Sequence, residues 1–583
     1  MYRSIFLKKL EKEREKVFFK MRTLLAVGSL LSATSLQAEI IPDAGSILRQ
    51  QQYQLQPPNQ FPASEKEKVP TPPDNNGIRV TVRSFTFSGY EGLATEMELQ
   101  SIVAGSVGKN LSYNELQAQA DKVSAYLRQK GWFLAHAYLP KQDVTAGTIE
   151  IGITQGKSDG SISIKADKTV RINQSILRGM GKSATHIGQP INKQHLERAV
   201  LLINDLPGIT ARSFVAPGTK TGSSNVEITV SEGSLLKGAV WGDNYGNRYT
   251  GSWRGNAMLS VNDPFHLGDK MSLMITKSEG LTLGRIDYSF PIASNGMKGT
   301  LSYTGMRYKL IGDLASLEYK GHSNSIDAGL SYPLRRSRTS NITTAITYGY
   351  QALIDNRFSV DIHDRKLNTV TFRGKGDSYD TMLGGGYNNW NISATTGDFH
   401  ESIADISSAK TEGQFTRFNF GLSRLQRLAK RATLDVSWSG QVALNNLDSS
   451  EELSLGGPNG VRSYPVGEAS GDEGHIINTE LRYNLPVPAA WGNVQLCGFY
   501  DAGHITIKKE ETAISLGTAT NLNSYWLQGV GAGLNYTSSP GNFALRLSWA
   551  HVIGENSGRS VKGKNSDGQK NDDRFWLESR IYF

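Results

Sequence analysis

The chain has 583 residues, a formal net charge of +9 and a hydrophobic content of only 38%. Beyond the N-terminal region no run of eighteen apolar residues occurs, which excludes helical membrane spans. A β-barrel stays open, because its strands are apolar on one face only. Lysine and arginine are scattered along the chain, so we expect a solvated surface and no nucleic-acid partner. The single cysteine, Cys497, excludes an intramolecular disulfide framework.

The N-terminus has the pattern of a secretory signal peptide. Lys20 and Arg22 precede the apolar run 24–31, and a small-residue segment follows it. We therefore assign residues 1–38 to the signal peptide, with Met21 as a second candidate start. The apolar core is too short to anchor the chain in a membrane. Export without cysteine pairs indicates the envelope of a Gram-negative bacterium.

Residues 39–56 are predicted to contain a short polar helix. Asp43 suits the N-cap position, and Ile47 and Leu48 are its only large apolar pair, so burial alone cannot anchor the helix. Residues 57–77 contain six prolines and alternating Glu and Lys. Such a composition cannot form a core and predicts an extended tether.

Two small α+β units follow, at residues 78–157 and 158–234. In the first, a Ser-x-x-Glu capping box at Ser112 precedes an amphipathic helix, and strands are predicted at 132–140 and 147–156. The second has the same order of a helix and a closing strand.

Glycines mark corresponding points of the two units. Gly131 and Gly208 end the two helices, whereas Gly156 and Gly233 end the two closing strands. Both pairs are separated by the same 77 positions (131 to 208 and 156 to 233). This equality indicates an internal repeat.

From residue 235 to the end of the chain, period-2 alternation replaces helical periodicity. Near residue 480, Leu481 and Tyr483 alternate with Glu480 and Arg482, a pattern that fits a wet barrel or a solvated sandwich face. At about 22 residues for a strand and its loop, the segment 235–583 predicts roughly sixteen strands, within the range of membrane barrels.

The last strand favours the barrel over a secreted β-sandwich. Phe575, Leu577, Ile581 and Phe583 share one face of it. A strand with an apolar outward face that ends in an aromatic residue resembles the signal read by the outer-membrane insertion machinery. Phe583 is the expected terminal residue of this signal.

The whole pattern resembles the outer-membrane transporters of two-partner secretion systems, within the superfamily of POTRA-bearing barrels. The stretches that carry the resemblance are DAGSILRQQQ (43–52), AYLPKQDVTAGTIEI (137–151), DNYGNRYTG (243–251) and GGPNGVRSYPVGEASGDEG (456–474). The resemblance implies a mainly β chain: a C-terminal 16-stranded transmembrane β-barrel, two preceding α+β POTRA domains and an N-terminal plug helix.

The resemblance also gives a role to a lone arginine in a glycine-rich loop. The family folds a long loop into the lumen with a Val-Arg-Gly-aromatic tip, which here reads Val461, Arg462, Ser463 and Tyr464. Its partner is an inward aspartate, matched by Asp501 in GFYDAG. A carboxylate that accepts the planar donors of the arginine fixes the loop tip. The loop is thus expected to act as a conformational anchor that is displaced or shifted as the client passes. Ser463 departs from the usual glycine, which tolerates positive φ.

No enzymatic or ligand chemistry emerges from the remaining motifs. The Gly-Lys-Ser fragment at 181–183 lacks the first P-loop glycine, the ten histidines have no metal-ligand spacing, and no G-x-S-x-G elbow occurs. We expect no catalytic, cofactor or metal site, and an inert lumenal or packed Cys497. Five aromatic residues are interpreted as girdle or rim residues of the barrel: Tyr245, Tyr249, Trp253, Tyr288 and Trp576.

The resemblance implies a monomeric transporter that secretes an unfolded partner without nucleotide hydrolysis. The partner is a large exoprotein, whether haemolysin, adhesin or contact-dependent toxin, recognised in the periplasm by the POTRA domains. Outer-membrane lipid, the insertion machinery and periplasmic chaperones are the other expected partners. The helix with Asp43, Ile47, Leu48 and Arg49 is expected to plug the lumen at rest. An outer-membrane assembly factor and a passive porin are the alternatives.

Overall fold

A computed structural model describes residues 41–52, 79–183, 188–218, 223–403, 409–510, 516 and 518–583. The predicted signal peptide, with its alternative start, and the tether 57–77 lie outside the described residues. So do the two ends of the predicted segment 39–56.

Helices are few and short in the described parts of the chain. None of them has the length and hydropathy to span a bilayer. The α-helices described are α1 (Ala44–Gln52), α2 (Glu96–Val103), α3 (Tyr113–Gln129), α4 (Gln174–Gly181) and α5 (Lys193–Asn204), with short 3-10 turns at Ala104–Ser106, Gly312–Leu317, Met382–Gly384 and Ala489–Trp491.

The two α+β units share one sheet topology. In each three-stranded sheet the central strand pairs parallel with the first strand and antiparallel with the other, in the orders β2-β5-β4 and β6-β8-β7. The strands of these units are β1 (Arg79–Thr81), β2 (Ser84–Ser88), β3 (Asn110–Ser112), β4 (His136–Tyr138), β5 (Thr148–Thr154), β6 (Lys157–Ala166), β7 (Ile209–Pro217) and β8 (Ser223–Glu232).

The predicted strand at 132–140 is wrong over most of its length. Only His136–Tyr138 forms a strand, because Trp132 begins a turn in which its carbonyl accepts from the Ala135 N–H at 3.0 Å. The indole of Trp132 also donates to the Leu93 carbonyl at 3.0 Å. The adjoining Phe133 and Leu134 pack against the core of the second unit, so the two units join through this segment.

Sixteen strands close into one antiparallel barrel, which confirms the predicted mainly β fold class. A short pair, β20 (Leu453–Ser454) and β21 (Ser470–Gly471), is set apart within the loop of residues 444–472. The barrel strands are β9 (Leu236–Asp243), β10 (Arg254–Asn262), β11 (Lys270–Lys277), β12 (Leu281–Pro291), β13 (Lys298–Lys309), β14 (Tyr319–Arg336), β15 (Ser340–Arg357), β16 (Val360–Asp380), β17 (Gly386–Glu401), β18 (Gly413–Arg427), β19 (Ala432–Ala443), β22 (Glu473–Asn484), β23 (Asn493–Thr506), β24 (Ser524–Thr537), β25 (Phe543–Val552) and β26 (Asp573–Tyr582).

The barrel closes where β26 pairs with β9 over five residue pairs. Phe583 extends this contact, since its backbone exchanges hydrogen bonds of 2.9 and 3.0 Å with Gly238. The aromatic ring lies so close to Gly238 that a Cβ there would meet it at 2.3 Å. Gly238 therefore makes room for the ring of Phe583.

Period-2 alternation separates a polar inside from an apolar outside. On β23 the carboxylate of Asp501 is buried, whereas the neighbouring Tyr500 is 40% exposed on the outer face. On β13 and β14, Leu301 and Ile326 are about half exposed outside. Such exposed aliphatic side chains suit contact with lipid.

The second α+β unit docks on one end of the barrel. Asp205, which follows α5, holds Arg336 through two hydrogen bonds of 2.8 and 2.9 Å, and Glu197 accepts from the Arg338 N–H at 2.7 Å. Arg336 ends β14, and Arg338 lies in the turn between β14 and β15. We call this end the repeat-side rim and the opposite end the far rim.

Candidate functional site inside the barrel

Helix α1 lies in the lumen and begins at a side-chain cap. The Asp43 carboxylate accepts from the Ser46 N–H at 2.8 Å, as expected of an N-cap. Ile47 and Leu48 are 0% and 2% exposed. They pack into an apolar cluster with inward residues of the barrel, among them Leu353. The aliphatic pair that cannot anchor an isolated helix is thus buried against the barrel wall.

A single arginine of the barrel wall gathers three carboxylates at the start of α1. Arg365 on β16 contacts Asp43 at 2.7 Å, Asp355 at 2.6 Å and Asp448 at 2.9 Å. Asp355 also accepts from the Ala44 N–H at 3.1 Å, so it receives the free N-terminus of the helix. We call these four side chains the Arg365 cluster.

The rest of α1 is held by single polar contacts. Arg49 donates to the Glu452 carbonyl at 3.1 Å, and Gln51 accepts from Arg254 at 2.7 Å. Gly45 lies against the loop that follows β19, where a Cβ would meet the Ser449 hydroxyl at 2.5 Å. A glycine at this position lets the helix approach the loop backbone closely.

The long loop between β19 and β22 brings the predicted motif into the lumen. Val461 and Tyr464 are completely buried. Arg462 donates to both carboxylate oxygens of Asp501, from Nε and Nη2, each at 2.8 Å. The Arg462 N–H adds a third contact to Asp501 at 3.1 Å. The structure thus brings Arg462 and Asp501 together as a bidentate pair.

Three further groups surround Arg462 that were not predicted to contact it. Its Nη1 donates to Glu480 at 2.5 Å, and its guanidinium lies 3.4 Å from the ring centroid of Phe499. The Trp576 indole donates to the Arg462 carbonyl at 2.7 Å. The sequence held one signal for the contact of Glu480 with Arg462. Glu480 alternates with the outward Leu481, so its charge was predicted to lie in the lumen.

Serine takes the place of glycine in the motif without adopting positive φ. Ser463 is not among the residues in the left-handed region, and it is completely buried. The space for its side chain is left by Gly529 on β24, where a Cβ would lie 2.1 Å from the Ser463 hydroxyl oxygen. The two positions therefore fit one another as a small and a large partner.

The interpretation of five aromatics as girdle or rim residues is wrong for three of them. Tyr245, Tyr249 and Trp576 are 6%, 1% and 7% exposed, which excludes contact with lipid. Tyr249 packs in the cluster that receives α1, and Tyr245 packs edge-on against Trp576. Only residues from Arg254 onward form β10, so alternation counted through Tyr249 assigned it to the wrong side.

Two further predicted positions, Cys497 and Phe583, lie on barrel strand β23 and at the end of β26. Cys497 is half-buried on the inner face of β23 with no disulfide. Phe583 is 68% exposed at the β26–β9 closure. In the described residues no group of three or more His, Cys, Asp or Glu side chains is arranged to hold a metal ion.

The chain matches known protein families and curated relatives. Residues 222–536 match the model of the haemolysin secretion/activation protein ShlB/FhaC/HecB, and residues 80–156 match the ShlB-type POTRA domain. The heme/hemopexin transporter protein HuxB of Haemophilus influenzae strain 86-028NP is 30% identical over 488 residues, covering 82% of this chain and 83% of the relative. The outer membrane transporter CdiB of Escherichia coli is 25% identical over 564 residues, covering 90% of each chain.

A solved structure gives the same fold. CdiB from Escherichia coli superposes with a TM-score of 0.72 at 20% sequence identity, covering 94% of this chain and all of that chain. The relatives are transporters, and the resemblance to two-partner secretion transporters is confirmed. The chain belongs to the ShlB/FhaC/HecB family of haemolysin secretion/activation proteins.

Proposed function

We propose that this chain recognises one unfolded exoprotein in the periplasm and secretes it through its barrel. The observation that carries the proposal is the occupied lumen, where α1 is held by side-chain contacts that a passing chain can replace. Family membership supports the direction of transport and the outer membrane as its site. The 30% identity to a heme/hemopexin transporter favours a client that is a large exoprotein related to the one that this relative transports.

Recognition begins at an open strand edge of the second α+β unit. The edge strand β7 spans nine residues, and its Phe214 is 55% exposed. The other described edge strands are shorter or partly covered. β2 has five residues, β1, β3 and β4 have three each, and the start of β6 is covered by the segment at Gln189, whose carbonyl accepts from the Ser158 N–H at 2.9 Å. An unfolded client can add a strand to β7 through main-chain hydrogen bonds with little sequence selectivity.

Helix α1 acts as a plug that leaves the lumen before the client enters. A segment as long as residues 57–77 can reach roughly 60 Å at about 3.1 Å per residue, which exceeds the thickness of a bilayer. The helix can therefore move into the periplasm while it stays attached to the first POTRA domain. Folding of the client outside the cell then prevents backsliding, so the proposal needs no nucleotide hydrolysis.

Co-expression with the adjacent large open reading frame tests the proposal. We expect the encoded exoprotein in the culture medium when this chain is present and retention in the periplasm when it is absent. A vector that carries only the POTRA units, residues 79–234, after a signal peptide is the matched control. Unchanged secretion without this chain would contradict the proposal.

The same experiment addresses the alternative of a barrel-assembly factor. Loss of this chain would then lower the amount of other barrels in the outer membrane and leave the exoprotein unaffected. The comparisons do not favour this alternative, because the matching family is one of secretion proteins.

A further inference from the structure

A cationic patch lies on the outer face of the barrel at the far rim. Its members are Lys277 on β11, Arg307 and Lys309 on β13, and Lys320 and His322 on β14. Arg307 faces His322 and Lys309 faces Lys320 in the cross-strand register. Lys277 stands in the same row, two strands away from Arg307. We call these five side chains the far-rim patch.

Alternation along the strands points this patch toward the membrane. On β13, Arg307 and Lys309 share the face of Leu301 and Tyr303, which are 50% and 46% exposed. On β14, His322 shares the face of Ile326. Below the patch the outer face thus changes to an aromatic residue and then to aliphatic ones, the order expected across a membrane interface.

The height of the patch matches the headgroup layer. Tyr332 lies on the same face of β14, ten residues from His322 toward the repeat-side rim. Ten residues at about 3.4 Å each, tilted by about 40°, span roughly 26 Å, close to the apolar band of a membrane barrel. With the POTRA units in the periplasm, as proposed for this chain, the repeat-side rim faces the periplasm, and His322 and its neighbours lie at the outer leaflet.

The cations of the far-rim patch lack the acidic partner that several other cations of the barrel have. In the lumen Arg254 contacts Asp243 at 2.7 Å, and on the outer face near the repeat-side rim Arg424 contacts Asp380 at 2.6 Å. Among the described residues, no carboxylate lies within 4 Å of the charged groups of Arg307, Lys309 or Lys320. The neighbouring cations repel one another unless an external anion lies between them.

We propose that the far-rim patch binds the phosphate groups of an anionic glycolipid of the outer leaflet. Arg307, Lys320 and His322 line one open groove, which gives a phosphate converging donors from β13 and β14. Asn356, which also lines the groove, donates its amide to Asp361. The acyl chains of such a lipid would lie along Leu301 and Ile326, which are exposed below the groove. The inference depends on the membrane location of the barrel and is independent of any client.

The test uses the full chain in detergent and bisphosphorylated lipid A as the probe. Native mass spectrometry measures lipid retained by the wild type and by the triple variant Arg307→Gln, Lys309→Gln and Lys320→Gln. Each cation at an anionic lipid surface adds to affinity, so we expect the triple variant to bind about a hundredfold more weakly. Dephosphorylated lipid A should bind the two proteins equally and weakly.

A matched variant controls for net charge. The substitutions Lys109→Gln, Lys141→Gln and Lys168→Gln remove the same charge from the POTRA units and should leave lipid binding unchanged. Heat-modifiable migration in gels verifies that each barrel is folded.

Three results would overturn the inference. The first is equal retention of lipid A by the wild type and the far-rim variant. The second is that the wild type binds dephosphorylated lipid A as strongly as bisphosphorylated lipid A. The third is displacement of the lipid by an excess of inorganic phosphate alone. The last result would assign the patch to free anions. Because secretion is not measured, none of these outcomes bears on the proposed transport.

Discussion

Helix α1 and the loop tip at Arg462 share the lumen, but they differ in what their departure would leave behind. When α1 leaves, Arg365 loses Asp43 and keeps Asp355 and Asp448, so no buried charge is stranded. When the loop tip leaves, Asp501 loses its cation, Arg462, and keeps the hydrogen bond that the Asn478 amide of β22 donates at 2.8 Å. A buried charge without its partner costs about 3–5 kcal/mol, whereas a single exchanged hydrogen bond costs about 1 kcal/mol.

This difference makes α1 the removable part of the lumen and the loop tip at Arg462 its fixed part. The charges around α1 are arranged so that the barrel stays satisfied with or without the helix. The charges around Arg462 are satisfied only when the loop tip is in place, apart from Glu480, which also contacts Arg482 at 2.7 Å. We infer that the plug exchanges during transport while the loop tip anchors the barrel wall.

The largest expected effect comes from breaking the fixed part. We predict that Arg462→Ala leaves the barrel inserted but lowers secretion of the client about tenfold or more, because Asp501 is left buried without a cation. Immunoblots of the medium measure secretion, and heat-modifiable migration measures barrel folding. Arg424→Ala, which removes an ion pair on the outer face, is the matched control and should secrete normally. Undiminished secretion by Arg462→Ala would remove the loop from the mechanism.

Removal of the plug should act on conductance and leave the barrel folded. We predict that deletion of residues 43–52 opens a large, steady pore in planar bilayers, because α1 fills the lumen and the Arg365 cluster keeps two of its carboxylates. Deletion of ten residues of the tether, 62–71, is the matched control and should keep the pore closed. An unchanged baseline after removal of α1 would contradict its role as a plug.

A smaller effect on the same part is expected from Arg365→Gln. The substitution removes the cation that joins α1 to the wall, so we predict brief openings of the pore and no steady current. Arg373 lies on the same face of β16 and has no carboxylate within 4 Å among the described residues, so Arg373→Gln is the control. A steady open current from Arg365→Gln would show that the single polar contacts of α1 do not hold it.

Sequence periodicity was enough to predict the barrel, but it could not predict contacts between residues far apart in the chain. Alternation placed Asp501 on the inner face because a strand has two faces and Leu496 belongs to the other. The Arg365 cluster was out of reach, because Asp43 and Arg365 are 322 positions apart and nothing local marks the pairing. Tyr249 was assigned outward because the alternation was extended into a turn that precedes β10.

The position of Ser463 shows the same limit at a single residue. From the sequence, serine in place of glycine raised the question of backbone strain. The structure answers it through Gly529 on a neighbouring strand, 66 positions later, a residue with no recognisable link to the motif. The side chain of Ser463 fits because β24 has a glycine, without a side chain, at position 529.

The smallest predicted effect tests this fit in the fixed part. In Gly529→Ala, the new Cβ would lie 2.1 Å from the hydroxyl oxygen and 2.6 Å from the Cβ of Ser463. Overpacking of this kind costs about 1–3 kcal/mol, so we predict a lower melting temperature and a few-fold loss of secretion. Adding Ser463→Gly removes both close contacts and should restore most of the loss, whereas Ser463→Gly alone should be nearly neutral. If the double variant is as impaired as Gly529→Ala, the defect lies in the remaining 3.0 Å approach to the His551 carbonyl, and the pairing of the two positions is refuted.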